Sequence, residues 1–202
     1  MIDVYIAVLP DKEICKPLLC AKRQAEIDGI SNERVRREKY YVWKLLEYAI
    51  KNSLGADASR LNFTKSKNQK WSCDAFEFSL SHSGELLAVA ISDRAVGVDV
   101  ERIRVKNSER MANYILTSGE KAEYSSVCDD TADEWLIQRW CQKEAIFKSK
   151  NEDSFIPSKI ETANFFSHVE FLEVKNQKYI LALAAKEQDN LKINEIVDLY
   201  ND

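Results

Sequence analysis

Apolar residues recur at two different periods along this chain, and the changes between them mark its elements. Ile2 to Leu9 is a short apolar-rich run closed by Pro10-Asp11, which predicts a strand. Polar helical sequence follows, and Ser31-Asn32-Glu33 makes a cap that opens the next helix. Behind it Val35, Val42, Leu45, Leu46, Ala49 and Ile50 recur at helical spacing until Leu54-Gly55. From Phe76 the period becomes two: Phe76, Phe78 and Leu80 alternate, and Ser81-His82-Ser83-Gly84 turns the chain. Leu86 to Ser92 and Val96 to Glu101 follow as strands joined at Asp93-Arg94. A polar helical stretch covers 106 to 126, and Asp129-Asp130-Thr131 with Asp133-Glu134 forms an acidic loop before a helix from Trp135 to Ser149. The tail returns to strands at Val169 to Val174, Tyr179 to Ala185 and Ile193 to Leu199, with Lys175-Asn176-Gln177-Lys178 as a turn.

This order predicts an α+β fold of two similar halves, 1–100 and 101–202, each a helix on a small antiparallel sheet. Three prolines and five glycines leave no linker between the halves. KNQK occurs at 67–70 and again at 175–178, too short a match to prove duplication. The 202 residues, 45% hydrophobic and 31% charged, suit a packed chain rather than a disordered one. A net charge of −4 argues against nucleic acid or an anionic membrane as the main partner, since both need a positive field. No apolar run approaches the roughly 18 residues of a membrane span, and Met1-Ile2-Asp3 offers no basic leader. Five cysteines, Cys15, Cys20, Cys73, Cys128 and Cys141, form no CxxC and read as ordinary thiols. The expectation is a cytoplasmic globular protein.

Three constellations carry candidate chemistry. In Val96-Gly97-Val98-Asp99-Val100-Glu101, Asp99 and Glu101 share one face of a strand. Two carboxylates ~7 Å apart repel by ~2 kcal/mol at an effective dielectric of 20, which a divalent cation would relieve. The plain alternative is a solvated acidic strand end. In Trp140-Cys141-Gln142-Lys143-Glu144-Ala145-Ile146-Phe147-Lys148, helical spacing stacks Trp140, Glu144 and Lys148 on one face, with Leu136, Ile137 and Phe147 as a core stripe. Either Glu144 and Lys148 form a surface pair worth ~0.3–0.5 kcal/mol, or Glu144 is a metal ligand or base and Lys148 a phosphate clamp. Ser81-His82 lacks the GxSxG of a nucleophile elbow, and with His168 the only other histidine, a histidine-rich metal site is excluded. Arg34, Arg36, Arg37 and Lys39 crowd the start of a helix against its dipole, either as a solvated face or as an anion-binding rim.

Taken together, FSLSHSG (78–84), VGVDVE (96–101) and WCQKEAIFK (140–148) resemble the surfactin-synthetase-type 4′-phosphopantetheinyl transferases. That family's signature is a Gly-hydrophobic-Asp-hydrophobic-Glu strand followed by W-[S/C/T]-x-K-E-[A/S]-x-x-K, and each position is met here. The resemblance implies a monomer whose halves form a pseudo-two-fold pair. It implies transfer of the phosphopantetheine arm of coenzyme A to a serine of an apo acyl or peptidyl carrier protein, releasing 3′,5′-ADP. Asp99, Glu101 and Glu144 would hold Mg²⁺, Glu144 would also act as base, and Lys148 would steady the pyrophosphate. Ser81 and His82 would contact the nucleotide, and Arg34 and Lys39 are the nearest matches to the residues that grip its 3′-phosphate. The family's Gly-Lys-Pro turn is absent; Asn68-Gln69-Lys70-Trp71 stands there, and either Lys70 or Lys67 substitutes for its lysine or the contact is missing. Its glycine-rich turn after the last lysine is replaced by Ser149-Lys150-Asn151-Glu152-Asp153. These departures motivate a second reading, a non-catalytic module that binds coenzyme A or the carrier protein.

Overall fold

A computed structural model describes residues 1–12, 14, 16–66, 70–104, 108–150, 152–186 and 190–199. Cys15, Lys67 and most of the first KNQK therefore lie outside the described residues. The fold is mixed α+β and divides into two compact units, Met1–Arg94 with Asp189–Asp202, and Ala95–Gln188. The expected division after residue 100 falls inside a strand, so Asp99 and Glu101 belong to the second unit.

In the first unit, β1 (Ile2–Val8) pairs antiparallel with β5 (Leu86–Ser92), and β5 pairs antiparallel with β4 (Glu77–Ser83). The fourth strand, β9 (Leu191–Val197), lies parallel to β1, giving the order β4-β5-β1-β9. The sheet is thus not wholly antiparallel, and the last strand joins this unit rather than the one that precedes it in sequence. After α1 (Ala21–Asp28), the long helix α2 (Glu33–Ala49) starts where Asn32 accepts a hydrogen bond from the Val35 N–H, as the cap predicted. Trp43, Leu45, Leu46 and Ala49 are buried with Leu87, Val89 and Ile91 of β5 in one core. A single π-helical turn, Ile50–Leu54, follows, and Gly55 at φ +60° ends it in the left-handed conformation that glycine adopts without strain. A hairpin of β2 (Phe63–Lys65) and β3 (Trp71–Cys73) completes the unit.

In the second unit, β6 (Val96–Arg102), β7 (Phe166–Val174) and β8 (Gln177–Ala185) form an antiparallel sheet in the order β6-β8-β7. Lys175 and Asn176, both at positive φ, make the tight turn between β7 and β8. The polar stretch after residue 106 is two helices, α3 (Ser108–Ile115) and α4 (Ser118–Tyr124), because Thr117 and Glu120 form a capping box that restarts the chain. The segment read as an acidic loop is the first turn of α5 (Asp129–Lys150), where Asp129 and Asp130 meet the positive end of the helix dipole. Ile137, Cys141, Ala145 and Ile146 of α5 pack on Ile180, Ala182 and Ala184 of β8.

Candidate functional site

Gly97 is the residue that lets this site form. A Cβ there would run into the Ala145 carbonyl and lie 2.8 Å from the Ser149 backbone nitrogen, so β6 can approach α5 only without a side chain. Ala184 and Ala182 stand opposite Gly97 and Asp99 in the sheet and keep the same face shallow. Strand alternation then turns Asp99 and Glu101 towards α5, while Val98 and Val100 are buried on the other face.

The α5 residues that meet them are those at helical spacing. Lys148 Nζ donates to Asp99 Oδ1 at 2.7 Å, and Asp99 is only 3% exposed. Trp140 Nε1 donates to Glu101 Oε1 at 3.3 Å, with its ring held edge-on by Phe155 at 5.4 Å. Glu144 lies one turn from each, half-buried. Burial pushes its carboxyl up to about 7; Lys148 opposes this, and the negative charges of Asp99 and Glu101 reinforce it. Burial works against the Lys148 ammonium, yet Asp99 and Glu144 outweigh it, and its pKa rises. Burial and Asp99 hold Cys141 well above the ordinary thiol value, so it stays protonated and is no nucleophile.

Among the described residues no three acidic, histidine or cysteine side chains are placed as a ready-made metal site. The donor set still fits a hard cation: Glu144 feels the negative charges of Asp99 and Glu101, the three carry only oxygen ligands, and Lys148 stands beside them.

Lys143, beside Glu144 in the motif, has a different place. It is wholly buried, and its Nζ donates to the Ile115 carbonyl (2.8 Å), the Pro157 carbonyl (2.9 Å) and Glu120 Oε2 (2.6 Å). Glu120 Oε1 accepts from Thr162, so the ammonium ties α3, α4 and the 157–162 segment to α5. The lysine–glutamate spacing gave no sign of this, because its partners are 14 to 28 residues away.

The remaining candidates lie in the first unit. Ser81 and His82 are on β4 rather than in a turn; the chain turns one step later, at Gly84-Glu85. Ser81 is buried, and His82 Nδ1 lies 3.7 Å from Glu38 Oε2. Arg34 Nε donates to the other oxygen of Glu38 at 2.9 Å, so one carboxylate joins two predicted residues. Lys39 is elsewhere, 3.8 Å from Glu26, which also receives Lys65, Arg23 and the Trp71 indole N–H. Lys70 ends the connection between β2 and β3, and burial lowers its pKa. Sequence reasoning missed both Glu38 and Glu26; only the Arg34–Glu38 spacing of four hinted at the first.

The family match covers the segment that holds β6 and α5. Residues 95–193, which include Asp99, Glu101, Glu144 and Lys148, match the 4′-phosphopantetheinyl transferase superfamily. The match covers just under half of the chain. The chain is 41% identical over 75 residues to the 4′-phosphopantetheinyl transferase AcpT of Escherichia coli (strain K12), covering 36% of this chain and 38% of that one. It is 36% identical over 98 residues to AcpT of Salmonella typhi, covering 43% and 50%. A putative 4′-phosphopantetheinyl transferase of Haemophilus influenzae is 27% identical over 114 residues, 54% and 47% of the two chains. The chain thus spans half or less of the length of these curated relatives.

Proposed function

We propose that this protein transfers the 4′-phosphopantetheine arm of coenzyme A to a serine of an apo acyl or peptidyl carrier protein, as the surfactin-synthetase-type enzymes do. The observation that carries the reading is the meeting of Asp99, Glu101, Glu144 and Lys148 where β6 crosses α5, within the superfamily segment. In the reaction the carrier serine oxygen bonds to the phosphorus that bears the pantetheine. The bond from that phosphorus to the bridging oxygen breaks, and 3′,5′-ADP leaves with the electron pair.

Glu144 accepts the serine proton. A carboxyl held near 7 suits a base working at neutral pH better than one at its ordinary value. Asp99, Glu101 and Glu144 would hold Mg²⁺, which supplies charge neutralisation at the pyrophosphate when bound. Lys148 adds a fixed positive charge for the phosphate oxygens. Trp140 aims Glu101 by donating its indole N–H to Oε1. His82 and Ser81 are assigned to the nucleotide, and Arg34, Lys39 and Lys70 to its phosphates. Glu38 holds His82 and Arg34 in place in that role. The reading brings with it a pseudo-two-fold relation between the halves, a monomer, and a cytoplasmic setting. No described helix is long and apolar enough to cross a membrane.

The test is intact-mass spectrometry of an apo acyl carrier protein incubated with this protein, coenzyme A and Mg²⁺. The carrier should gain one phosphopantetheine arm, EDTA should abolish the gain, and Asp99→Ala should lose it while remaining folded. Binding of coenzyme A without any mass gain, across several carriers, would favour the non-catalytic module instead.

A further inference from the structure

One cavity of the first unit is lined by none of the residues assigned a role above. It is a cavity of about 660 Å³, within the range that small organic ligands occupy. One wall is a face of α2 and the π-helical turn after it, where Tyr40, Tyr41, Lys44, Glu47, Tyr48 and Lys51 follow one another at helical spacing. Lys39 is about 140° round the helix from Lys44, at 100° per residue, and takes no part. The opposite wall is the segment after β1, which brings Pro10, Lys12, Lys16 and Leu19. Gly55 to Ala58 and Leu199 close the remainder.

Hydrogen bonds between the walls hold them in place. Tyr40 Oη donates to the Lys16 carbonyl (2.6 Å) and Tyr41 Oη to the Lys12 carbonyl (3.5 Å), so both rings stand as panels between helix and segment. Glu47, buried, accepts the Leu19 N–H on one oxygen (2.8 Å) and Lys44 Nζ on the other (2.7 Å). The π-helical turn Ile50–Leu54 supplies Lys51 and swings the chain so that Ala56 and Ala58 line the cavity. Such turns are rare and concentrate at functional sites. The lining is therefore three aromatic rings with aliphatic side chains, ringed by four lysines against Glu47 and Asp57. In a chain of net charge −4, this lining carries more ammonium groups than carboxylates.

We infer that this cavity binds an amphipathic organic anion, a carboxylate head on an aliphatic or aromatic body. The lysines meet the head as charge-assisted hydrogen-bond donors, and the tyrosine rings with Pro10 and Leu199 cover the body. The inference does not rest on the transferase reading, because none of the residues given a role there lines the cavity.

Amide chemical shifts of the whole chain, titrated with decanoate, decan-1-ol and acetate, test it. Decanoate should saturate one site whose shifts cluster on α2 and residues 55–58, at least about tenfold more tightly than decanol or acetate. The double variant Lys16→Glu, Lys51→Glu should weaken decanoate by about tenfold, roughly 1.4 kcal/mol, and leave decanol as it was. Should that variant not fold, Ala56→Trp fills the cavity from a neutral position and should abolish decanoate binding. Equal affinity for decanoate and decanol, an unchanged affinity in the double variant or in Ala56→Trp, or shifts elsewhere in the chain would each overturn the inference.

Discussion

Glu144 links the candidate chemistry to something measurable without any substrate. Its carboxyl sits at about 7 in the folded chain against an ordinary 4.5, chiefly through burial. Between those two values the folded state binds more protons than the unfolded one. Its contribution to stability is therefore present in full below about pH 4.5 and lost as pH rises through about 7. Glu144→Gln keeps the shape and removes the buried charge. In EDTA at pH 8 that variant should melt above the wild type, by an amount equivalent to at most about 2–3 kcal/mol, and near pH 4 the two should coincide. Thermal melts across that range decide the matter; a variant less stable than wild type at pH 8 would mean the carboxylate is held by favourable contacts. At this scale the sequence showed which residues share a face, because a strand puts Asp99 and Glu101 on one side and a helix puts Trp140, Glu144 and Lys148 on one stripe. It did not show the pairing across elements, such as Lys148 on Asp99, Trp140 on Glu101, or Glu38 between Arg34 and His82, since no local spacing encodes a partner so far away.

At the scale of elements, the site depends on how closely α5 lies on β6, and Gly97 sets that distance. Gly97→Ala would force its methyl into the Ala145 carbonyl, so the helix must move off the strand. A loss of roughly 1–3 kcal/mol is expected, the usual cost of an overpacked core, together with loss of carrier modification. Denaturant unfolding and the mass assay measure the two effects. A stable and active alanine variant would show that helix and strand can part without harm. The other hold on α5 is Lys143. Lys143→Ala would strand the Glu120 carboxylate in the interior and free two backbone carbonyls, which should cost about 3–5 kcal/mol. Adding Glu120→Gln to it should recover part of that loss, because the unpaired charge is then gone. Long periodic elements such as α2 and β5 were legible from their apolar spacing. The hairpin of β2 and β3 was not, for three residues a strand are too few to establish a period. The acidic start of α5 reads as loop from its run of charges, yet the helix dipole favours acids at that end.

For the whole molecule, the instructive element is β9. Its strand character was readable from the residues, but its address was not: pairing with β1 in parallel requires the chain to leave the first unit at Ala95 and come back. Apolar alternation says that a strand exists and is silent on which sheet will accept it, since the choice is made by contacts almost two hundred residues apart, such as Asn194 Nδ2 donating to the Val4 carbonyl. The consequence is an asymmetry between the units. The second is one continuous stretch, whereas the first is complete only when the tail has returned. Ending the chain after Gln188 would remove β9 and lay bare the edge of β1. Hydrogen exchange on that shortened chain should show faster exchange in β1 and β5, while β6 and β8 keep their protection. Uniform loss of protection in both units would mean that they unfold as one cooperative body, and unchanged protection in β1 would mean that β9 contributes little to its sheet.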